Sequence, residues 1–348
     1  MKFWDREKEK EELKAYLKSE PNAILFVYGP KSSGKSTLLS YVIDELLEDE
    51  NFNQSHQVYW FDLRGKLVSN YRDVVDLFFI DEDSYRKLQE KSKKFEAGLL
   101  KFFKVELSTK ELIESRRIDP FVYMEEELRG QEKIGIIVFD ELQKLKDVYM
   151  NGSGEDKNPQ RPLVKELFNF FVRLTKVLHL SHVIVMSSDT FFIEEVYSDS
   201  TLKNTSEFYL VDFFDDETAV KILIDEGVDE RVAKKVIAKI GGVPWMMERV
   251  LSNGDPMKKV EDLYKQSKAR ILSFFDEKKI NGEDIGITKE VFKKVLENQS
   301  LDTQEELIEL RRLFKEEILF YDPINRTIRF QTRLDKFAVE EILTKSTI

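Results

Sequence analysis

The segment GPKSSGKS, residues 29–36, constrains the fold of this chain more than any other segment. It follows the apolar run AILFVY (23–28), which predicts a buried strand, and precedes TLLSYVIDELLE (37–48), whose apolar spacing predicts a helix. A turn of the form G-x-x-x-x-G-K-[ST] between a strand and a helix directs backbone N–H groups around an anion, and the helix N-terminus adds positive charge. The segment therefore predicts a phosphate-binding loop within an α/β fold.

Each residue of this loop has an expected role toward a nucleotide. We expect the loop to bind it through Gly29, Pro30, Lys31, Ser32, Ser33, Gly34, Lys35, Ser36 and Thr37. Lys35 is expected to reach the β- and γ-phosphates and to assist catalysis, while the Ser36 hydroxyl is expected to bind Mg²⁺. A chance match in an ordinary strand-to-helix turn is the alternative, and the predicted strand and helix on either side argue against it.

The apolar strand IIVFDE (136–141) adds a second element, because it ends in two carboxylates. Asp140, at the carboxyl end of the strand, is expected to bind Mg²⁺. Glu141 is placed to orient and activate an attacking water as a catalytic base, which favours hydrolysis over phosphate transfer to another acceptor. An acidic strand end without a catalytic role is the alternative interpretation.

A later strand, VIVMSSDT (183–190), ends in two serines at the same predicted edge of the sheet. Ser187 or Ser188 is expected to contact the γ-phosphate or the attacking water, and Ser187 is taken as the catalytic candidate although the sequence does not choose between them. The competing interpretation is an N-cap for the helix that begins near Thr190.

Apolar strands alternate with helical segments over the first part of the chain, which predicts a parallel sheet covered on both faces. The predicted strands are 23–28, 58–63, 134–139, 182–188 and 207–211. Residues 71–128 have helical apolar spacing, and residues 151–162 are rich in turn formers and predict a mobile loop. Beyond Asp215 the strand pattern stops and helices follow, interrupted by GGVP (241–244), so domain boundaries are expected near residues 215 and 256.

The N-terminal segment FWDREKEKEEL (3–13) has the form F-x-x-R-E-x-E-x-x-x-L. It is followed by the phosphate loop, VYWFDLRG (58–65), IIVFDELQKL (136–145) and GGVP. As a set, over about residues 1–250, these motifs resemble the archaeal ATPases of the STAND superclass and their AAA-like relatives. The resemblance implies a P-loop NTPase of the ASCE division, with an α/β parallel sheet of strand order 5-1-4-3-2. It also implies an ATPase core over 1–215, a helical lid over 216–256 and a winged-helix domain over 257–348.

The resemblance further implies residues that bind the nucleotide outside the loop. Phe3, Trp4 and Arg6 are expected near the adenine, although an amphipathic helix with its cap explains them equally simply. Pro244 of the GGVP corner is expected to face the bound nucleotide, where many AAA ATPases carry a sensing arginine. A plain corner between two helices is the alternative, since glycine ends helices and proline begins them.

One departure from the family pattern concerns an arginine. Family members commonly carry one before the fifth strand, whereas residues 198–210 here contain Lys203 and no arginine. Because such an arginine is worth about 10³–10⁵ in rate, its absence predicts slow ATP hydrolysis. Arg161 and Arg173 are the candidate substitutes.

The last ninety residues predict helices, then a hairpin over ILFYDPINRTIRFQT (318–332), then a terminal helix, an order that resembles a winged helix. Its recognition helix is expected at about 303–316. The candidate contacts to duplex DNA are Arg311, Arg312, Arg326 and Arg329. Residues 287–348 nevertheless hold 11 Lys and Arg against 12 Asp and Glu, so a protein-contact or structural module stays open.

Composition excludes several classes of function. The 348 residues include no cysteine and 3 histidines, which excludes disulfides and thiolate metal sites. A net charge of −11 gives no overall attraction to nucleic acid. The first residues, MKFWDREKEK, are too charged for a signal peptide, and no apolar run reaches the roughly 18 residues of a membrane span, so a cytoplasmic protein without membrane contact is expected.

The leading prediction is an ATPase that binds Mg²⁺ and ATP, hydrolyses ATP slowly and acts as a nucleotide-dependent conformational switch. The alternative is a DNA-binding ATPase similar to origin-recognition and transposition-associated ATPases. A nucleotide-bound scaffold with negligible turnover also stays open. The expected partners are ATP and ADP, with duplex DNA, another protein or a second copy of the chain as further candidates.

Overall fold

The computed structural model describes residues 4, 6–81, 84–86, 99–100, 102–149, 162–252 and 254–345, with the backbone alone at 99–100. The chain divides into two compact units, Met1–Tyr28 with Lys35–Leu210, and Gly29–Gly34 with Val211–Ile348. Among the described residues, no helix is both long and apolar enough to cross a membrane.

The first unit is built from alternating helices and strands. Its elements, in chain order, are α1 (Glu7–Lys18), β1 (Ile24–Tyr28), α2 (Lys35–Leu47), α3 (Glu50–Ser55), β2 (His56–Asp62), α4 (Tyr71–Phe78), β3 (Phe79–Asp81), β4 (Leu99–Leu100), β5 (Phe103–Val105), α5 (Leu107–Glu114), α6 (Pro120–Gly130), β6 (Ile134–Asp140), a 3-10 helix (Leu142–Leu145), α7 (Leu163–Val172) with a π-helical turn (Arg173–Val177), β7 (Ser181–Ser187), α8 (Thr190–Ser198) and β8 (Ser206–Leu210). All five predicted strands are present, each within two residues of its expected bounds.

The main sheet of the described residues is parallel, with strand order β4-β2-β6-β7-β1-β8. The predicted order 5-1-4-3-2 is confirmed, because β8, β1, β7, β6 and β2 lie side by side in that sequence. The difference is β4, a two-residue edge strand beyond β2. Every residue of β1 and β7 is buried, which is why the central strands are continuous apolar runs rather than alternating ones.

The expectation of helical structure throughout residues 71–128 is wrong in part. Helices α4, α5 and α6 lie there, but β3 and β5 pair in parallel as a second, two-stranded sheet. Phe79 and Phe103 are both buried in it. Strands of three residues are too short to show a period of two, so the apolar pattern did not reveal them. The predicted mobile loop at 151–162 lies outside the described residues except for Pro162, which bridges to Tyr149.

From Val211 onward, the described residues of the second unit form helices and one hairpin. Its elements are α9 (Asp216–Asp225), α10 (Glu230–Ile240), α11 (Pro244–Leu251), α12 (Pro256–Ile280), α13 (Ile285–Leu296), α14 (Gln304–Lys315), β9 (Leu319–Asp322), β10 (Thr327–Phe330) and α15 (Arg333–Thr344). The antiparallel hairpin of β9 and β10 follows α14, the expected recognition helix, as the sequence predicted. Phe275, Phe292, Leu313 and Val339 contribute to the core that joins α12–α15. The division of this region into a lid and a winged-helix domain stays a prediction.

The GGVP corner has a local physical reason within the second unit. Gly241 ends α10 with a φ of 67°, in the left-handed region that favours glycine. A Cβ added at Gly242 would lie 2.0 Å from the carbonyl oxygen of Phe214, whose N–H donates to the Gly242 carbonyl at 3.0 Å. Pro244 then begins α11, where its missing N–H costs no hydrogen bond. The backbone itself therefore explains the two glycines, and the proline fits the helix start that follows them.

Candidate functional site

The loop between β1 and α2 has the backbone of an anion-binding turn. Gly29, Ser32 and Gly34 have φ values of 147°, 60° and 95°. Left-handed residues interspersed in a turn direct successive N–H groups to one side, where they form a concave nest for an anion. Helix α2 begins directly after the loop and has no acidic residue in its first turn, so nothing of its own neutralises its positive end.

Lys35, the first residue of α2, is buried and only 5% exposed. Burial lowers the pKa of its ammonium group to about 8, while the charges of Glu141 and Asp140 oppose that shift. The nearby guanidinium groups of Arg64 and Arg6 reinforce it. A buried ammonium group surrounded by both signs of charge is suited to binding an anion, which would raise its pKa again.

Ser36 and Asp140 form the second part of the site. The Ser36 hydroxyl donates a hydrogen bond to Asp140 Oδ2 at 2.8 Å. Asp140 ends β6 and is 3% exposed, and burial raises the pKa of its carboxyl group despite the neighbouring Ser36 and Arg64. Adjacent ligands of an octahedral Mg²⁺ at 2.0–2.1 Å are about 3 Å apart, and hydroxyl and carboxylate oxygens are ligands that Mg²⁺ takes. The pair therefore fits the predicted magnesium site.

Arg64 also lies in this site, although it was not among the residues predicted from the sequence. Its Nη2 donates to Ser36 Oγ at 2.7 Å and to Asp140 Oδ1 at 2.9 Å. Its Nε lies 3.9 Å from Glu141 Oε1. The available signal was the motif VYWFDLRG, since β2 pairs with β6 so that Asp62 is opposite Asp140, which brings the residues just after β2 beside the acidic pair.

Glu141 follows β6 in a left-handed conformation, with a φ of 67°. Its N–H donates to the Met186 carbonyl at 2.9 Å, which fixes the backbone against the end of β7. Its carboxylate accepts hydrogen bonds from Gln143 Nε2 and, at 3.3 Å, from Ser188 Oγ. Ser187 donates to Gln143 Oε1 at 3.0 Å. Ser188 therefore contacts Glu141 directly, and Ser187 is connected to it through Gln143.

Comparison with known sequences decides the family. The family profile described as an ATPase domain predominantly from Archaea matches residues 3–250. The chain belongs to this archaeal ATPase family. An uncharacterized ATP-binding protein of Methanocaldococcus jannaschii is 37% identical over 99% of this chain and 95% of its own length. Another, of Pyrococcus abyssi, is 35% identical over 98% of both chains.

Solved structures share the fold of this archaeal ATPase at low sequence identity. The Walker-type ATPase of Pyrococcus abyssi superposes with a TM-score of 0.62 at 17% identity, covering 97% of this chain and 96% of that one. The ORC2 protein of Aeropyrum pernix, solved in ADPNP–ADP complexes, gives a TM-score of 0.50 at 12% identity, covering 99% and 95%. The predicted family and P-loop α/β fold are confirmed.

Of the two candidate substitute arginines, Arg173 lies away from the Ser36–Asp140 pair and Arg161 is not described. Arg173, in the π-helical turn after α7, donates to Glu125 on α6 at 2.5 and 3.0 Å, and this ion pair raises the pKa of the guanidinium. It is not brought to the Ser36–Asp140 pair, where Arg64 lies instead. Arg161 lies outside the described residues of the archaeal ATPase.

The expected adenine contacts are only partly described. Phe3 lies outside the described residues, and Trp4 is half-buried. Arg6 is 6% exposed, donates to Glu9 Oε1 at 2.9 Å, and lies close enough to Lys35 to lower its pKa. Arg6 is thus near the site, and its contact with adenine stays a prediction. The contact of Pro244 with a nucleotide also stays a prediction.

Two of the four candidate DNA-binding arginines are engaged in ion pairs within the second unit. Arg312 binds Glu283, and Arg329 binds Asp212 at 2.5 Å. The nearby Arg333 binds Asp216 at 2.7 Å. Arg311 and Arg326 are exposed at the surface. The outer face of α14 also exposes two aliphatic side chains, Leu307 by 46% and Ile308 by 60%. The expected patch is therefore less basic than the sequence indicated.

Proposed function

We propose that this archaeal ATPase binds ATP with Mg²⁺ at the site of Lys35, Ser36 and Asp140, and hydrolyses it with Glu141 as the water-activating base. The observation that carries the proposal is the Ser36–Asp140 contact of 2.8 Å beside a buried lysine, where the carboxyl ends of β1 and β6 lie on either side of β7. The relatives from Methanocaldococcus and Pyrococcus are named as ATP-binding proteins, which supports the same ligand here.

Each residue has a part in this chemistry. The loop N–H groups and Lys35 would hold the phosphate chain, and Ser36 and Asp140 would hold Mg²⁺, which when bound neutralises charge on the β- and γ-phosphates. The Glu141 carboxylate accepts from Gln143 and Ser188, so its orientation is set before substrate arrives. Ser187 is a positioning residue in this scheme, because it acts on Glu141 through Gln143.

Slow turnover and a role as a conformational switch form the finer part of the proposal. The segment before β8 has no arginine, and Arg173 is paired with Glu125. Without an arginine from that segment to stabilise the charge of the transition state, the base alone would give modest rates. In such switches the coupling free energy between nucleotide state and conformation is about 1–3 kcal/mol. Slow hydrolysis suits such a switch, because each nucleotide state then persists.

Glu141→Gln tests the proposal. The variant should bind a fluorescent ATP analogue as tightly as the parent while its turnover falls by about 10²–10⁴-fold. Glu132→Gln is the matched control, because Glu132 is also a glutamate with positive φ, 51°, but is exposed and precedes β6. Hydrolysis by Glu141→Gln at the parent rate would refute the assignment of the base.

DNA binding is the second candidate, favoured by the helix–helix–hairpin–helix order of α13, α14, β9, β10 and α15 and by the exposed Arg311 and Arg326. Duplex binding would fall steeply with salt and weaken on combined Arg311→Ala and Arg326→Ala substitution. No binding of duplex DNA at low salt would exclude it. The exposed Leu307 and Ile308 would then favour contact with a protein partner or a second copy of the chain.

A further inference from the structure

Arg64 is bound by the same two groups that fit a magnesium ion. Its Nη2 lies 2.7 Å from Ser36 Oγ and 2.9 Å from both carboxylate oxygens of Asp140. We propose that Arg64 is a built-in competitor of Mg²⁺: its guanidinium takes the cation position while the site holds no nucleotide, and it must leave Ser36 and Asp140 before they can hold the metal. The inference rests on the proposed function and adds a control of metal loading to it.

The charges make the two occupants mutually exclusive. Asp140 is 3% exposed, and a buried carboxylate is stabilised by a cation in direct contact. A guanidinium and a divalent cation held by the same carboxylate and hydroxyl would lie within a few ångströms of each other. Two like charges at that separation repel each other, because a partly buried site screens them less than bulk water does, and a divalent ion doubles the repulsion. The Asp140 carboxylate therefore holds one of them at a time.

The side chain of Arg64 is able to leave without disturbing the core. It is 51% exposed, so its departure opens no cavity. The backbone around it is held independently: Leu63 N–H donates to the Asp140 carbonyl at 3.1 Å, and Arg64 N–H donates to Asp62 Oδ1 at 2.8 Å. Gly65 follows with a φ of 66°, in a turn closed by Lys66 N–H to the Leu63 carbonyl at 3.3 Å. The backbone is therefore held in place while the exposed side chain is able to change rotamer, as a competitor of Mg²⁺ requires.

The test measures binding rather than turnover. Binding of a fluorescent ADP analogue is titrated with Mg²⁺ from a chelated start, and the Mg²⁺ concentration for half-maximal binding is compared between variants. Arg64→Ala removes the competitor and should lower that concentration by about tenfold, the value of a charge-assisted hydrogen-bonded contact of a half-exposed side chain. Arg64→Lys keeps a charge without the planar fork and should lower it less.

Arg72→Ala is the matched control, since Arg72 is an exposed arginine of the following helix that pairs with Glu114. It should leave the Mg²⁺ requirement unchanged, and circular dichroism checks that each variant is folded. An unchanged or higher Mg²⁺ requirement in Arg64→Ala, with the parent binding normally, would overturn the competition alone. A parent that binds no adenine nucleotide at any Mg²⁺ concentration would overturn the proposed function, and the competition with it.

Discussion

The stability of the first unit should depend on pH through one buried histidine, His182. It lies in β7 between β6 and β1, is 0% exposed, and packs against Tyr16 with the ring centroids 5.1 Å apart. Burial lowers the pKa of the His182 imidazole from 6.5 to about 4. Between these pH values the unfolded chain binds a proton that the folded chain does not. The contribution of His182 to the unfolding free energy is therefore fully present above pH 6.5 and is lost as the pH falls toward 4.

The magnitude follows from the difference between the two pKa values. The two pKa values of His182 differ by about 2.5, and at 1.36 kcal/mol per pKa unit this difference corresponds to about 3 kcal/mol of unfolding free energy. The assay is urea unfolding followed by circular dichroism at intervals from pH 7 to pH 4, for the parent and for His182→Phe. Because other groups titrate in both proteins, the difference between their unfolding free energies isolates the histidine.

The expected result is that this difference changes by about 3 kcal/mol in favour of His182→Phe between pH 7 and pH 4. Val183→Ala is the matched control, since Val183 is the next, equally buried residue of β7. It should lower stability by the same amount at every pH and retain the parent's slope. A difference between parent and His182→Phe that stays constant to within about 1 kcal/mol would refute the reasoning.

Three further predictions concern other parts of the chain. Gly242→Ala places a Cβ 2.0 Å from a backbone carbonyl and should lower the unfolding free energy by at least about 1–3 kcal/mol in urea, whereas Gly130→Ala, with nothing within 4 Å, should not. Lys278→Met breaks the buried 2.6 Å contact with Glu309 and should lower the unfolding free energy by about 3–5 kcal/mol in the same assay. Adding Glu309→Leu to this variant should restore the lost stability. Gln143→Leu removes the amide that orients the water-activating carboxylate, so turnover should fall about 10- to 100-fold while affinity for the ATP analogue is kept.

The sheet was predictable because its strands are buried on both faces and therefore appear as continuous apolar runs. AILFVY and IGIIVF therefore predicted buried strands, and the loop at 29–36 indicated the class of fold, whereas the strand order followed from the family resemblance. Residues 71–128 were less predictable. Their three-residue strands carry no readable period, and the pairing of Phe79 with Phe103 depends on contacts distant in sequence.

The site shows the same division between local and distant information. Lys35, Ser36 and Asp140 follow from motifs in which each residue's role is set by its neighbours along the chain. Arg64 stands in the motif VYWFDLRG, but that motif assigns it no role, and its position depends on the register in which β2 pairs with β6. The different contacts of the two serines likewise depend on the position of Gln143, which lies in a 3-10 turn after Glu141. Contacts across strands decide these assignments, and one sequence does not contain them.

The conformation of Glu141 argues for function independently of any motif. A non-glycine residue in the left-handed region costs about 1 kcal/mol or more, and glycine or asparagine would relieve it. The preceding Asp140 adds a buried carboxylate whose pKa is raised by burial, where an apolar residue would be cheaper to bury. Two consecutive residues that each oppose stability, at the end of the same strand and beside a buried lysine, are difficult to explain by folding alone. A divalent cation would compensate the buried carboxylate and a polyphosphate would compensate the buried lysine, whose charges in the chain itself are balanced by Arg64 and by the interactions of Lys35 with Asp140 and Glu141.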